Sequence, residues 1–124
     1  MAEIILKEES YKIIGICMEV HNKLGTGFLE SVYKDAIEYE FFKSDIFFIR
    51  EKAYKIKYKE IMLKHKFFAD FVVFNKIILE VKCCTDIIDE HIKQTVNYLS
   101  VSNLKLGIIV NFGEGSLKYK RILL

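Results

Sequence analysis

The stretch that most limits what this chain can fold into runs from Ala69 to Lys82. Two apolar, largely β-branched runs, Phe71-Val72-Val73 and Ile77-Ile78-Leu79, flank a break at Asn75-Lys76, a pattern that predicts a hairpin. Set into it are three charges, Asp70, Glu80 and Lys82. Charged side chains are seldom buried unless they are paired or bind a metal. Glu80 and Lys82 stand two positions apart and share one strand face, while Leu79, Val81 and Cys83 point to the other.

Whether Asp70 joins them depends on the turn. A two-residue turn at Asn75-Lys76 sets Asp70 opposite Val81. A three-residue loop, Phe74-Asn75-Lys76, sets it opposite Glu80, and cross-strand partners point the same way. Asn75 tolerates the left-handed backbone that such a loop needs, so the odd-length loop is expected. Two facing carboxylates repel unless a cation or a proton lies between them. Oxygen-only ligands suit Mg²⁺ or Mn²⁺ rather than zinc, and a lysine beside them suits phosphodiester hydrolysis. The competing reading is an ordinary ion pair of Lys82 with Asp70 or Glu80 on a half-exposed sheet.

An Asp followed ten positions later by Glu80-Val81-Lys82 on a hairpin resembles the core of the PD-(D/E)XK nuclease superfamily. Ala69 stands where the superfamily motif has proline, a position that does no chemistry. Upstream, Gly27-Phe28-Leu29-Glu30-Ser31-Val32-Tyr33 resembles the signature of the GxxExxY branch. Downstream, Gln94-Thr95-Val96-Asn97-Tyr98 resembles the QxxxY motif of RecB-like members. The resemblance implies a restriction-endonuclease-like α/β core and a Mg²⁺-dependent (or Mn²⁺-dependent) nuclease. Asp70, Glu80 and the main-chain carbonyl of Val81 would then hold the metal, with Glu30 completing its shell or positioning Lys82. Lys82 would orient a water or stabilise the developing charge, and Gln94 and Tyr98 would hold the scissile phosphate or brace the lysine. The expected polymer is nucleic acid, DNA by preference, although no recognition helix or other base-reading element marks the sequence. A non-catalytic nucleic-acid-binding or adaptor module that keeps the fold is the alternative, and a metal-stabilised interaction protein a third. A homodimer is left open.

Length bounds the rest: 124 residues predict one domain, 1–124, with a single modest core. At 52% hydrophobic and 29% charged residues the chain is globular rather than disordered. No uncharged run approaches the roughly 18–20 residues of a membrane span. Met1 to Lys7 lacks a signal peptide's basic start, so a cytoplasmic, non-membrane protein is expected. Cys17, Cys83 and Cys84 form no CxxC and no even framework, which predicts buried thiols. The charge distribution is more telling than the net +2. Residues 1–49 carry five basic and nine acidic groups, whereas residues 50–82 carry nine basic and four acidic. The basic excess thus falls on the hairpin segment, where an anionic polymer would lie.

Along the chain, Tyr11–Leu24 reads as a helix through Ile13, Ile16, Cys17, Val20 and Leu24. A second helix over Phe28–Phe42 buries Leu29, Val32, Tyr33, Ala36 and Ile37, with Thr26 as cap. Glu30 lies at the margin of that stripe, where a first-turn glutamate also answers the helix dipole. From Ala53 to Lys59, Tyr54, Ile56 and Tyr58 alternate with Lys55, Lys57 and Lys59. This predicts a half-buried strand whose lysine row either protects an edge or contacts phosphates. Met62–Phe74 forms the strand into the hairpin, with His65 on the face opposite Asp70. Ile87–Ser100 is a third helix, capped by Thr85 or Asp86, with His91, Gln94 and Tyr98 on one stripe. Leu104–Phe112, apolar on both faces, predicts a buried strand parallel to its neighbour, and Leu117–Leu124 a last strand. The expected order is α-α-β-β-β-α-β-β around a mixed sheet of four or five strands.

Overall fold

The computed structural model describes residues 5–124, and the order of elements is the expected one. The start of the N-terminal stretch read above for a leader, residues 1–4, lies outside the described residues. Helices α1 (Lys7–Leu24) and α2 (Glu30–Lys43) come first. Strands β1 (Phe48–Tyr58), β2 (Ile61–Val73) and β3 (Ile77–Lys82) follow, then α3 (Asp89–Ser102), β4 (Leu106–Asn111) and β5 (Lys118–Leu123). The five strands form one sheet in sequential order. Only the β3–β4 pair is parallel, with α3 as its crossover. β3 and β4 are the central strands and are buried along almost their whole length, which is why both read as unbroken apolar runs.

The sheet carries a core on each face. On one, α1 and α2 pack Ile13, Cys17, Tyr33, Ile37 and Phe41 onto Phe71, Leu79, Val81, Ile108 and Val110. On the other, α3 packs Leu99, with Ile92 and Val96, onto Ala69, Ile78 and Ile109. The helix caps differ from the sequence reading. α2 begins at Glu30 after Leu29, not at Phe28 under Thr26, so Leu29 is exposed rather than part of the apolar stripe. α3 begins after Ile88, whose N–H donates to Nδ1 of His91 at 3.2 Å, in place of a Thr85 or Asp86 cap.

Candidate metal and phosphodiester site

The loop between β2 and β3 is three residues long: Val73 pairs with Ile77, and the Lys76 N–H donates to the Val73 carbonyl at 3.0 Å. Phe74 and Asn75 both adopt positive φ, 59° and 57°. Asn75 does so readily. Phe74 is held there by packing against the α1–α2 core and by its N–H donating to the Phe47 carbonyl at 2.9 Å. The odd count carries the register of Phe71 opposite Leu79 onward to Asp70 opposite Glu80.

At that pair the backbone ladder stops and the side chains take over. The Asp70 N–H donates to Oε2 of Glu80 at 2.9 Å, and the Val81 N–H donates to Oδ2 of Asp70 at 2.8 Å. A strand residue's N–H and C=O leave by the same edge, so the Val81 carbonyl also faces the carboxylate side. The next residue faces β4, where its carbonyl accepts the Phe112 N–H at 2.8 Å. The strands part here because β2 changes faces. Phe67 and Ala69 pack under α3, whereas Phe71 and Val73 pack under α1 and α2. Glu51, which falls opposite Asp70 in the β1–β2 register, takes φ 54° at the same level. Asp70 therefore stands at a crossing point, within reach of both sides of the sheet.

From the α2 side the group that reaches it is Lys34. Its Nζ is 3.0 Å from Oδ1 of Asp70 and also bonds Glu51, with a side chain only 11% exposed. Burial pulls the Lys34 ammonium down, but its bonds to Glu51 and Asp70 outweigh this and hold it above its ordinary value. Glu80, 5% exposed, is pushed up to about 8. Burial is the main cause, the Asp70 charge adds to it, and the Asp70 N–H, Lys82 and Lys34 only partly oppose it. Two carboxylates in one desolvated place leave an unmet negative charge, which a proton or a cation answers.

The remaining expected residues divide. Lys82 lies near enough to Glu80 to draw its carboxyl down, and no ion-pair partner for it occurs among the described residues. Tyr98 stacks on Phe67, ring centroids 3.9 Å apart, and Phe67 stacks on Tyr54 at 4.9 Å. Burial raises the Tyr98 hydroxyl pKa, and the charges of Glu80 and Asp70 raise it further, so α3 presents this residue toward the pair. Gln94 is exposed and lines, with Tyr98, Asn97, Phe67 and Ile56, a cleft of about 460 Å³ between α3 and the β1–β2 ribbon.

Glu30 is not brought to the pair. It is exposed in the first turn of α2, and its charge is felt by Cys83, whose thiol is pushed up to about 11 by burial first and by Glu30 second. Among the described residues no three His, Cys, Asp or Glu side chains converge as a metal-holding group. Tyr33 of the same motif is buried. It stacks on Phe112 at 4.4 Å and donates from its hydroxyl to the Gly25 carbonyl at 2.5 Å, tying the α1–α2 loop to the end of β4.

Sequence reasoning missed Lys34 and Glu51. The one available signal for Lys34 was its place beside Tyr33 on the buried flank of α2. The pair that does form, Asp70 and Glu80 with the Val81 carbonyl, offers hard oxygen donors and an unmet negative charge. That donor set fits a small divalent cation that keeps several waters, such as Mg²⁺.

A mixed sheet flanked by helices, with two carboxylates and a lysine gathered where its central hairpin splays, defines the restriction-endonuclease-like class of α/β proteins. The comparison with known families agrees. The model of the PD-(D/E)XK nuclease superfamily matches residues 7–122, and the chain belongs to that superfamily. Among solved structures it is similar to the crystal structure of SSO0001, at 20% identity and a TM-score of 0.59 over 76% of this chain. The match covers 50% of that protein, so the chain corresponds to about half of its length. No curated protein matches. No helix among the described residues is long and apolar enough to cross a membrane.

Proposed function

We propose that this chain is a metal-dependent nuclease of the GxxExxY branch, hydrolysing phosphodiester bonds of nucleic acid, DNA in the first instance. The observation that carries the reading is the reciprocal bonding of Asp70 and Glu80 where β2 and β3 splay, with Glu80 pushed up to about 8 and Lys82 beside it. Asp70, Glu80 and the Val81 carbonyl would hold Mg²⁺, with Mn²⁺ as a substitute. Bound there, the cation would supply positive charge against the developing charge at phosphorus and would acidify a water.

The chain's own groups do the rest. Lys82 orients the water opposite the leaving 3′ oxygen and offsets charge on the phosphoryl oxygens. The water's oxygen bonds to phosphorus as the P–O3′ bond breaks, and its proton passes to O3′, leaving a 5′-phosphate and a 3′-hydroxyl. Tyr98 donates from its hydroxyl to the phosphate, and Gln94 binds the backbone at the mouth of the cleft. Lys34 acts on the reaction through Asp70, holding that carboxylate in place. Glu30 has no part in the shell.

The test is incubation with supercoiled, linear and single-stranded DNA and with RNA, in Mg²⁺, in Mn²⁺ and in EDTA. Cleavage that needs the metal and is lost in both Glu80→Gln and Lys82→Ala supports the enzyme. Retained binding without cleavage under either metal would overturn it and leave a binding module.

A further inference from the structure

The β1–β2 ribbon is longer than the sheet it belongs to. β3 pairs only with Phe71–Val73 of β2, yet β1 and β2 stay paired out to Tyr58 and Ile61. Residues 57–66 are exposed on both faces. Residues 52–66 carry Lys52, Lys55, Lys57, Lys59, Lys64 and Lys66 against a single acid, Glu60. Lys55 stands directly opposite Lys66. Like charges in direct cross-strand register destabilise a ribbon, so this pairing costs the isolated protein stability.

Edge protection explains lysines along β1, the outermost strand, but not a lysine set against another across the ladder. The side on which these lysines lie is also informative. By alternation along β2, Lys66 and Phe68 are exposed on the side away from α3, the side from which Lys34 reaches Asp70, whereas Phe67 and Ala69 turn toward α3 and are buried. On β1, Lys55 and Lys57 share that side through their pairs with Lys66 and Met62. Lys66 is four residues from Asp70, about 13 Å at ~3.3 Å per residue. Lys57 is six residues from Glu51, about 20 Å. A row of ammonium groups thus leads from the ribbon's outer end to Asp70, on the sheet face opposite Glu80 and the Gln94–Tyr98 cleft.

We propose that this side of the ribbon is a phosphate track, on which a nucleic-acid backbone lies with one end delivered to Asp70 where the strands splay. The occupant follows from charge complementarity. Six lysines against one acid along a projecting two-sided ribbon match a polyanion, and a bound backbone relieves the Lys55–Lys66 repulsion. The inference deepens the nuclease reading and rests on it for the identity of the polymer. It predicts a footprint of about 20 Å, some six base-pair steps, on one side of the cleaved bond.

The experiment uses the full chain in EDTA, so that binding is read without cleavage. Anisotropy of a labelled DNA duplex, of its single strand and of the matching RNA is followed as KCl is raised. The wild type is compared with the triple variant Lys55→Gln, Lys57→Gln, Lys66→Gln. A control triple of equal charge change, Lys105→Gln, Lys118→Gln, Lys120→Gln, lies on the β4–β5 side.

The expected result is a salt slope smaller by about three for the ribbon triple and by less than one for the control, since each phosphate contact contributes about 0.9 for a duplex and 0.7 for a single strand. Binding at the lower salts should weaken by about thirtyfold or more. The three polymers distinguish a duplex from a single-strand occupant. Equal losses in both triples, or no loss in the ribbon triple, would overturn the track. So would a ribbon triple that changes only the sedimentation of the protein, which would make the ribbon an interface between copies. The two readings fail separately. A wild type that binds through the ribbon but never cleaves keeps the track and loses the nuclease, and a ribbon triple that cleaves and binds as well as wild type does the reverse.

Discussion

Glu80 should make the metal-free protein less stable as pH rises. Its carboxyl is pushed from 4.5 up to about 8 by burial and by the neighbouring Asp70 charge. Each tenfold change in proton affinity is worth about 1.4 kcal/mol, so ionising Glu80 in the folded protein costs about 5 kcal/mol more than in the unfolded chain. The sign follows from proton counts. Between 4.5 and 8 the folded state holds a proton that the unfolded state has released. The stabilisation is therefore complete below 4.5 and lost as pH passes through about 8. The assay is urea unfolding in EDTA at intervals from pH 5 to 9, for wild type and for Glu80→Gln, whose neutral amide removes this titration. The free energy of unfolding of the wild type relative to the variant should fall by several kcal/mol across that window. Saturating Mg²⁺ should stabilise the wild type most above pH 8, where the cation no longer competes with a proton. Parallel curves for the two proteins would refute the reasoning, because they would mean that Glu80 ionises as freely folded as unfolded.

Two further outcomes follow from the same neighbourhood. Lys34→Met leaves Asp70 without the cation 3.0 Å away and should cost about 3 kcal/mol in urea unfolding, most of it recovered in the double variant Lys34→Met, Asp70→Asn. If the double variant is no more stable than the single, the loss is one of packing rather than of charge. Gly113→Ala should cost about 3 kcal/mol, because a Cβ at this position would lie 2.2 Å from the Cys84 carbonyl oxygen and 2.5 Å from its nitrogen. An unchanged unfolding midpoint would show that the β3 and β4 ends separate without penalty.

Close packing at Gly113 is one half of a latch whose other half is Asn111. That side chain accepts from the N–H groups of Cys84 and Gly113, each at 3.0 Å, and donates to the Cys84 carbonyl and to Glu114, each at 2.9 Å. Asn111 is fully buried and pairs with Lys82 across the parallel ladder. The end of β3, and with it the lysine beside the carboxylates, is therefore anchored to β4 rather than left on a free loop. A rigid support of this kind holds a charged group in geometry that a loop would not.

What was legible in the residues alone followed from short-range rules. The order of helices and strands came from apolar period. The facing of Asp70 and Glu80 came from the parity of a three-residue loop, and the shared side of Glu80 and Lys82 from simple alternation. Those rules hold wherever a strand stays regular, and β3 does. They fail at Ala69–Phe71, where β2 passes from one core to the other and alternation no longer says which helix a side chain meets. Only the packed molecule could bring Lys34 and Glu51 to Asp70, from positions 36 and 19 residues away in the chain, and turn Glu30 out toward solvent beside Cys83. Local sequence determines which side chains share a strand, whereas the angle at which a helix crosses a sheet is set by the whole core. Which residue of α2 reaches the carboxylates, Glu30 in its first turn or Lys34 one turn on, is a consequence of that angle.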